Sequence, residues 1–389
     1  MKINSDLGDL KWNHAFLKKR TWILVLFPIT LLILLIVKNN TYVAENIFAK
    51  GIYKTISQVI SLITGIVPFS IMELMVISIP VLFLVSIIMM IVRLLKSVRS
   101  RDGKFTYLLT IYGINIGCVI SIAFFLFMIL GGVNYYRYPF SFISGLEVRK
   151  STIEELYEVT DYLAREASSV RTELEKSGIE DENGVIHYTD LELKDLGNVL
   201  RKEFLEASNE YPVFSGYYGK FKPVYFSKFM SRMEITGIYW PFTVEANVNV
   251  HASEYSIPVT IAHEMAHQRG FMREDEANFI AYLICKRSDN LQLQYSGIML
   301  GLSYASNQLY KYDKDLYNKV IDNYNEGMLA DLREEYYYWK QFEDTVISTI
   351  SNNMNDSYLK ANNQSDGVKS YGRMVDLLLA QYRYEQGND

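Results

Sequence analysis

The chain is poor in cysteine: 389 residues contain only Cys118 and Cys285. Cys118 falls within an apolar run, and two cysteines so placed exclude a disulfide framework. Histidine is almost as scarce, at five residues, so any pattern needing two of them at a fixed spacing is hard to meet by chance. Internal repeats and long low-complexity runs are also lacking. Positive charge thins along the chain. Residues 1–136 hold 13 Lys/Arg against 5 Asp/Glu, a net of +8; with −5 for the whole chain, the remainder carries −13. That acidic part gives no support to nucleic-acid binding. The chain's 30 tyrosines suit a folded domain and argue against long disorder.

What the first third does have is uncharged apolar length. "TWILVLFPITLLILLIV" at 21–37 lies between Lys18-Lys19-Arg20 and Lys38. At about 1.5 Å rise per residue it can cross most of a bilayer core of roughly 30 Å. A cleaved signal peptide competes for this run, but "KNNTY" lacks a small-residue cleavage pattern and two more runs follow, at 71–92 and 107–133. Three spans are therefore expected, with Pro28 and Pro80 inside them tolerated where neighbouring helices satisfy the freed backbone.

Basic flanks favour the cytoplasmic side. Lys11, Lys18, Lys19 and Arg20 precede the first run, and Arg93, Lys96, Arg99, Arg101 and Lys104 follow the second. This predicts a cytoplasmic tail at 1–20, a transmembrane unit at 21–133 and an extracytoplasmic domain at 134–389. The stretch 53–70 reads as an interfacial amphipathic segment or an extension of the second span. Glu73, near the start of that span, reads as a solvated interfacial carboxylate.

Beyond 134 the pattern is mostly helical. Ser151 with Glu154 offers a capping box, and the helix it opens ends at Gly178. A second helix is expected at about 191–207. Texture then changes to Gly, Pro and alternating aromatics, and "TVEANVNV" at 243–250 is the best strand, placed where an extended substrate could add beside it. Pro258 opens a return to helix, and polar 351–367 reads as a surface loop. The expected fold is membrane-anchored α+β: three transmembrane helices, then a mostly helical domain with a short β-sheet.

The chemistry concentrates in "AHEMAHQRGFMREDEANFIAYL". Residues i and i+4 of a helix lie about 40° apart around its axis, so His263 and His267 can face one ion, with Glu264 about 100° round from His263. HExxH thus encodes two zinc ligands and a general base, and a bare match arises by chance on the order of a few times in a thousand in such a composition. A catalytic zinc needs a third protein ligand. Glu274, Asp275 and Glu276 follow the break at Gly270. Glu274 is preferred, because it shares a narrow face with Ala277, Asn278 and Ala281, and Asn278 could support a ligand from behind. Glu276 is the runner-up. Tyr304, His251 and Arg373 are open candidates for stabilising an oxyanion. His187 reads as a solvated turn residue, and His251 as more ordinary than functional.

"PFSIMELM", "GGVNYYR", "YWPFTVEANVN" and "AHEMAHQRGFMREDEANFIAYL" resemble a family of bacterial membrane proteins filed as domain of unknown function 3810, over nearly the whole chain from the first span to "SYGRMVDLLLA". A more distant resemblance is to zinc peptidases whose third ligand is the glutamate of an E-x-x-A-D or E-x-x-A-N pattern. This gluzincin likeness implies a zincin-like fold for 134–389 and Glu274 as the ligand. It departs in the short gap from His267 to Glu274 and in Arg269, where an apolar residue is common. Arg273 also stands where the HExxHxxG group of peptidases has its third histidine.

The function expected is a membrane-anchored Zn²⁺ peptidase acting outside the cytoplasm on a peptide or envelope protein. The zinc-bound water, with a pKa lowered toward about 7, would lose its proton to Glu264. A non-catalytic zinc- or peptide-binding sensor or assembly protein is the alternative. An intramembrane protease is disfavoured, since the motif lies far along the chain from the last span.

Overall fold

A computed structural model describes residues 20–362 and 373–387. The cytoplasmic tail expected at 1–20 lies almost wholly outside them. Three helices are long and apolar enough to cross a membrane: α1 (Trp22–Asn39), α4 (Ile71–Ser100) and α5 (Phe105–Leu130). Leu24 approaches Gly117 towards one end, and Val37 clusters with Met128 towards the other, so α1 and α5 run parallel. The turn after Ser100 returns the chain, making α4 antiparallel to α5. The end of α1, the start of α4 and the end of α5 therefore share one side. The rest of the protein is built there, because the backbone N–H groups of Ile71 and Met72 donate to the Glu245 carboxylate.

Between α1 and α4 come a π-type helix, α2 (Val43–Tyr53), and its continuation α3 (Lys54–Gly65). The expected interfacial segment at 53–70 is thus a separate helix, stopped before Ser70, whose hydroxyl caps α4 by accepting from Glu73 N–H. Its polarity is inverted relative to a helix packed on a protein core. Ser57, Ser61 and Thr64 are buried against the sheet side, while Ile56, Val59, Leu62 and Ile63 are exposed. The polar face is satisfied locally: Thr64 donates to the Thr243 carbonyl, and Ser61 Oγ accepts from Gly219 N–H.

After short α6 (Phe140–Ser144) the remaining chain forms α7 (Ile153–Glu175), α8 (Asp190–Ala207), α9 (Ser227–Arg232), α10 (Ile257–Gln268), α11 (Glu274–Lys286), α12 (Leu291–Tyr312), α13 (Lys314–Ile321), α14 (Glu326–Lys340), α15 (Val346–Ala361) and α16 (Arg373–Glu385). Helices α7, α10, α11 and α12 enclose one core, with Leu163, Met265, Ile280 and Leu302 fully or almost fully buried. The capping box of α7 forms one residue later than expected, between Thr152 and Glu155. Ser and Thr are adjacent, as are Glu154 and Glu155, and burial of Leu156 selects the phase.

A three-stranded sheet has the order β1 (Lys222–Pro223), β3 (Glu245–Val248), β2 (Gly237–Trp240), with β1 parallel and β2 antiparallel to β3. The strand expected at 243–250 is shorter and central, so it has no free edge for a ligand; β2 does. The expected loop at 351–367 is helical to Ala361, and its last part lies outside the described residues. Glu73 is not merely solvated, because its carboxylate accepts from Tyr225 and Phe226 N–H.

One buried polar hub ties the helices. Arg171 Nε donates to Asp331 at 2.8 Å with both side chains fully buried, and Asp331 also accepts from Tyr295 Oη and Ile186 N–H. Asp331→Ala leaves a buried guanidinium short of its main counter-charge, and we expect a loss of about 3–5 kcal/mol in denaturant-monitored stability. A loss below about 1 kcal/mol would show that Glu180, which also pairs with Arg171, suffices.

Candidate metal centre

Pro258 stands in the first turn of α10, where its missing N–H costs nothing, and the helix runs through His263, Glu264 and His267 to Gln268. Gly270 then takes φ +84°, a conformation few side chains tolerate, and the chain reverses into α11, which begins at Glu274. Ala277 and Ala281 are fully buried, and their small size lets α11 lie against α10. Glu274 is thereby carried back opposite the two histidines.

His263 Nε2 lies 3.2 Å from one Glu274 carboxylate oxygen and His267 Nε2 lies 3.5 Å from the other. One donor atom from each of the three residues falls within 4.8 Å of the other two, and no other such group of His, Cys, Asp or Glu occurs among the described residues. The backbone positions these side chains from behind as well. His267 Nδ1 is 2.6 Å from the Phe271 carbonyl, which fixes the ring with Nε2 towards Glu274.

Electrostatics match a cation-shaped gap. Burial would lower the His267 pKa, but the Glu274 carboxylate outweighs it and lifts the value to about 9. Burial would raise Glu274, yet His267 and His263 hold it well below the usual carboxylate range. A proton between imidazole and carboxylate balances charge where three Lewis bases converge, and a divalent ion can take that place.

Glu264 sits beside the cluster with different partners. Burial pushes its pKa up to about 7, and Oε2 has no hydrogen-bond partner. Its other oxygen rests against β2, where a Cβ on Gly237 would come within 2.3 Å of Oε1. Gly237 was not visible as a site residue in the sequence, since its requirement comes from a strand and a helix meeting. We expect Gly237→Ala to displace the carboxylate and reduce any Glu264-dependent turnover by about 10²-fold. Unchanged turnover would place the chemistry elsewhere, and metal analysis of the same variant controls for collapse of the site.

The other sequence candidates separate. Glu276 accepts from Phe140 N–H and pairs with Arg273, away from the histidines, and Asp275 also pairs with Arg273. Asn278 donates to Tyr304 Oη at 3.0 Å rather than to a histidine. Burial and then the Glu274 charge raise the Tyr304 pKa, so its phenol stays protonated beside the cluster. His251 bonds Tyr338, and His187 is an exposed residue beside Glu254; neither is grouped with the three donors. Arg373 opens α16.

Residues missed in the sequence come from distant segments. Tyr239 of β2 lies 6.1 Å, ring to ring, from His267 and donates to the carbonyl of Leu130, the last residue of α5. Tyr53 Oη reaches the carbonyls of His267 and Gln268, at the end of α10. Tyr358 of α15 contacts Phe127 of α5 and Tyr135, and its pKa is raised by burial and by Glu274. The donor cluster is therefore built against the ends of the apolar helices.

Fold and site define a mostly helical protein with three apolar helices and a His–His–Glu donor cluster at their common end. The chain belongs to the family described as protein of unknown function DUF3810, whose profile matches residues 48–379. No curated protein and no solved structure is significantly similar to it.

Proposed function

We propose that the protein is a membrane-anchored, zinc-dependent peptidase with a zincin-like arrangement, working on a peptide or envelope protein at the extracytoplasmic face. The observation behind it is the convergence of His263, His267 and Glu274 beside a buried Glu264 with one oxygen unpartnered. The donor set, two imidazoles and one carboxylate, suits zinc with one position open.

Bound zinc would supply Lewis acidity to a scissile carbonyl and to a water molecule. Glu264, with its pKa at about 7, can accept a proton at Oε2 and return it to a leaving amine. Tyr304 keeps a phenolic proton close to Glu274. Strand β2 can hold an extended chain. Asn249 N–H donates to the Thr236 carbonyl, which sets the ladder so that Ile238 and Trp240 face β3 while the backbone groups of Gly237 and Tyr239 face the open edge.

Three features favour the membrane setting: apolar α1, α4 and α5, the apolar outer face of α3, and basic Arg93, Lys96, Arg99, Arg101 and Lys104 at the end of the helices opposite the cluster. Full-length protein purified in detergent should contain stoichiometric zinc and cleave members of a peptide library. Chelation should stop cleavage and zinc should restore it. Zinc without cleavage of any peptide would overturn the enzyme reading in favour of a zinc-binding sensor.

A further inference from the structure

On the far side of the turn that separates His267 from Glu274 lies a cavity of about 710 Å³, between α2, α3, the segment after α5 and the loop at 212–218. Four cations line it, Lys50, Lys54, Arg137 and Arg269, and no carboxylate does. Arg137 is matched by buried Glu45 through two bonds of 2.9 Å. Lys50 lies 3.5 Å from the same carboxylate, with its side chain half exposed. Among the described residues Lys54 Nζ donates only to the hydroxyl of Ser215, at 2.6 Å.

Arg269 is the least expected of the four. It is buried, and its partners among the described residues are neutral: the Phe214 and Met265 carbonyls and the rings of Phe204 and Tyr218, at 3.9 and 4.9 Å. It has no carboxylate partner among the described residues. One carboxylate, Glu45, thus pairs with two of the four cations, Arg137 and Lys50, and the Lys54 pKa is lowered by burial and by Arg137 and Lys50. An anion is the missing complement. The rim is apolar and aromatic, with exposed Tyr42 just past the end of α1 and exposed Phe142 stacked on Tyr138 at 4.6 Å.

We infer that this cavity binds the phosphodiester of an anionic phospholipid, with Lys50 and Lys54 at its mouth and Arg269 on its floor. Cationic groups suit phosphate oxygens, the aromatic rim suits the glycerol and acyl boundary, and the mouth lies level with the end of α1. The lipid source of the phosphate rests on the membrane reading above; the cavity and its charge do not. Arg137 also donates to the carbonyls of Arg269 and Gly270, so a bound headgroup would rest on the turn that spaces the metal-site residues.

Delipidated full-length protein in detergent, titrated with phosphatidylglycerol, phosphatidylcholine or inorganic phosphate and followed by native mass spectrometry and thermal unfolding, tests this. Phosphatidylglycerol should bind and raise the melting temperature, phosphatidylcholine should not, and the Lys50→Ala/Lys54→Ala double variant should weaken binding by about tenfold or more. Equal binding of the two lipids, or no effect of the double variant, would overturn the site. Equal stabilisation by inorganic phosphate alone would overturn the lipid assignment in favour of a free phosphate. Lys50→Ala alone, at a half-exposed position, keeps the test available if the double variant does not fold. Zinc content and recovery in carbonate-washed membranes, measured on the same preparations, report separately on the metal and membrane readings.

Discussion

Glu264→Gln is expected to reduce peptide hydrolysis by about 10²- to 10⁴-fold while zinc remains bound. Glutamine fills the same space against Gly237, so neither the contact with β2 nor the path of α10 should change. What it loses is the ability to take a proton. The wild-type carboxylate is buried and raised to about 7, which places it where accepting and returning a proton are both accessible near neutral pH. The group is not among the three converging donors, so zinc measured by mass spectrometry should stay at the wild-type level. Retained hydrolysis in the variant would remove Glu264 from the reaction and leave the unpartnered Oε2 without a role. Loss of zinc together with hydrolysis would instead make Glu264 a structural support of the metal.

The local part of this site was legible in the sequence because helical spacing is local. His263, Glu264 and His267 follow from the four-residue repeat, and Glu274 from its face shared with Ala277 and Ala281, which are buried as a close helix pair requires. The three apolar runs were legible for the same reason. Tyr53, Gly237, Tyr239 and Tyr358 were not. Each reaches the site by chain crossing from another element, and among 30 tyrosines no spacing distinguishes those three.

Distance along the chain is also a poor guide to distance in the fold. The motif lies far from the last apolar run in sequence, yet Tyr239 alone bridges the Leu130 carbonyl and the His267 ring. The part of the expected loop from 351 to 361 is helical instead, and its Asn and Ser content masks a stripe. Val346, Ile350, Met354 and Tyr358 recur every four residues on α15, and this stripe is exposed while Leu359 on another face is buried. The strand at 243–250 shows the converse limit. Its alternation marked a strand, but not its central place in the sheet, which pairing with both β1 and β2 decides.

The choice between Glu274 and Glu276 gives the second large effect, and the two alanine variants should fail in opposite ways. Glu274 faces His263 and His267, and its carboxylate makes no hydrogen bond to the backbone among the described residues, so Glu274→Ala should leave the fold intact and weaken zinc binding. With about 10–16 kcal/mol of apparent zinc affinity spread over four ligands in small zinc sites, losing one corresponds to a weakening on the order of 10²- to 10³-fold. Hydrolysis should disappear at micromolar zinc. Glu276 has the other role. Its carboxylate accepts from Phe140 N–H and pairs with Arg273, all within the core that supports α11. Glu276→Ala strands a buried N–H and an arginine, and should cost about 1–3 kcal/mol in denaturant-monitored stability with zinc affinity nearly unchanged below the transition. Competitive zinc titration and urea unfolding of both variants decide the matter. If Glu276→Ala lost zinc at full stability while Glu274→Ala kept it, the proposed metal centre would have the wrong third ligand, and the facing of α11 towards α10 would have to be redrawn.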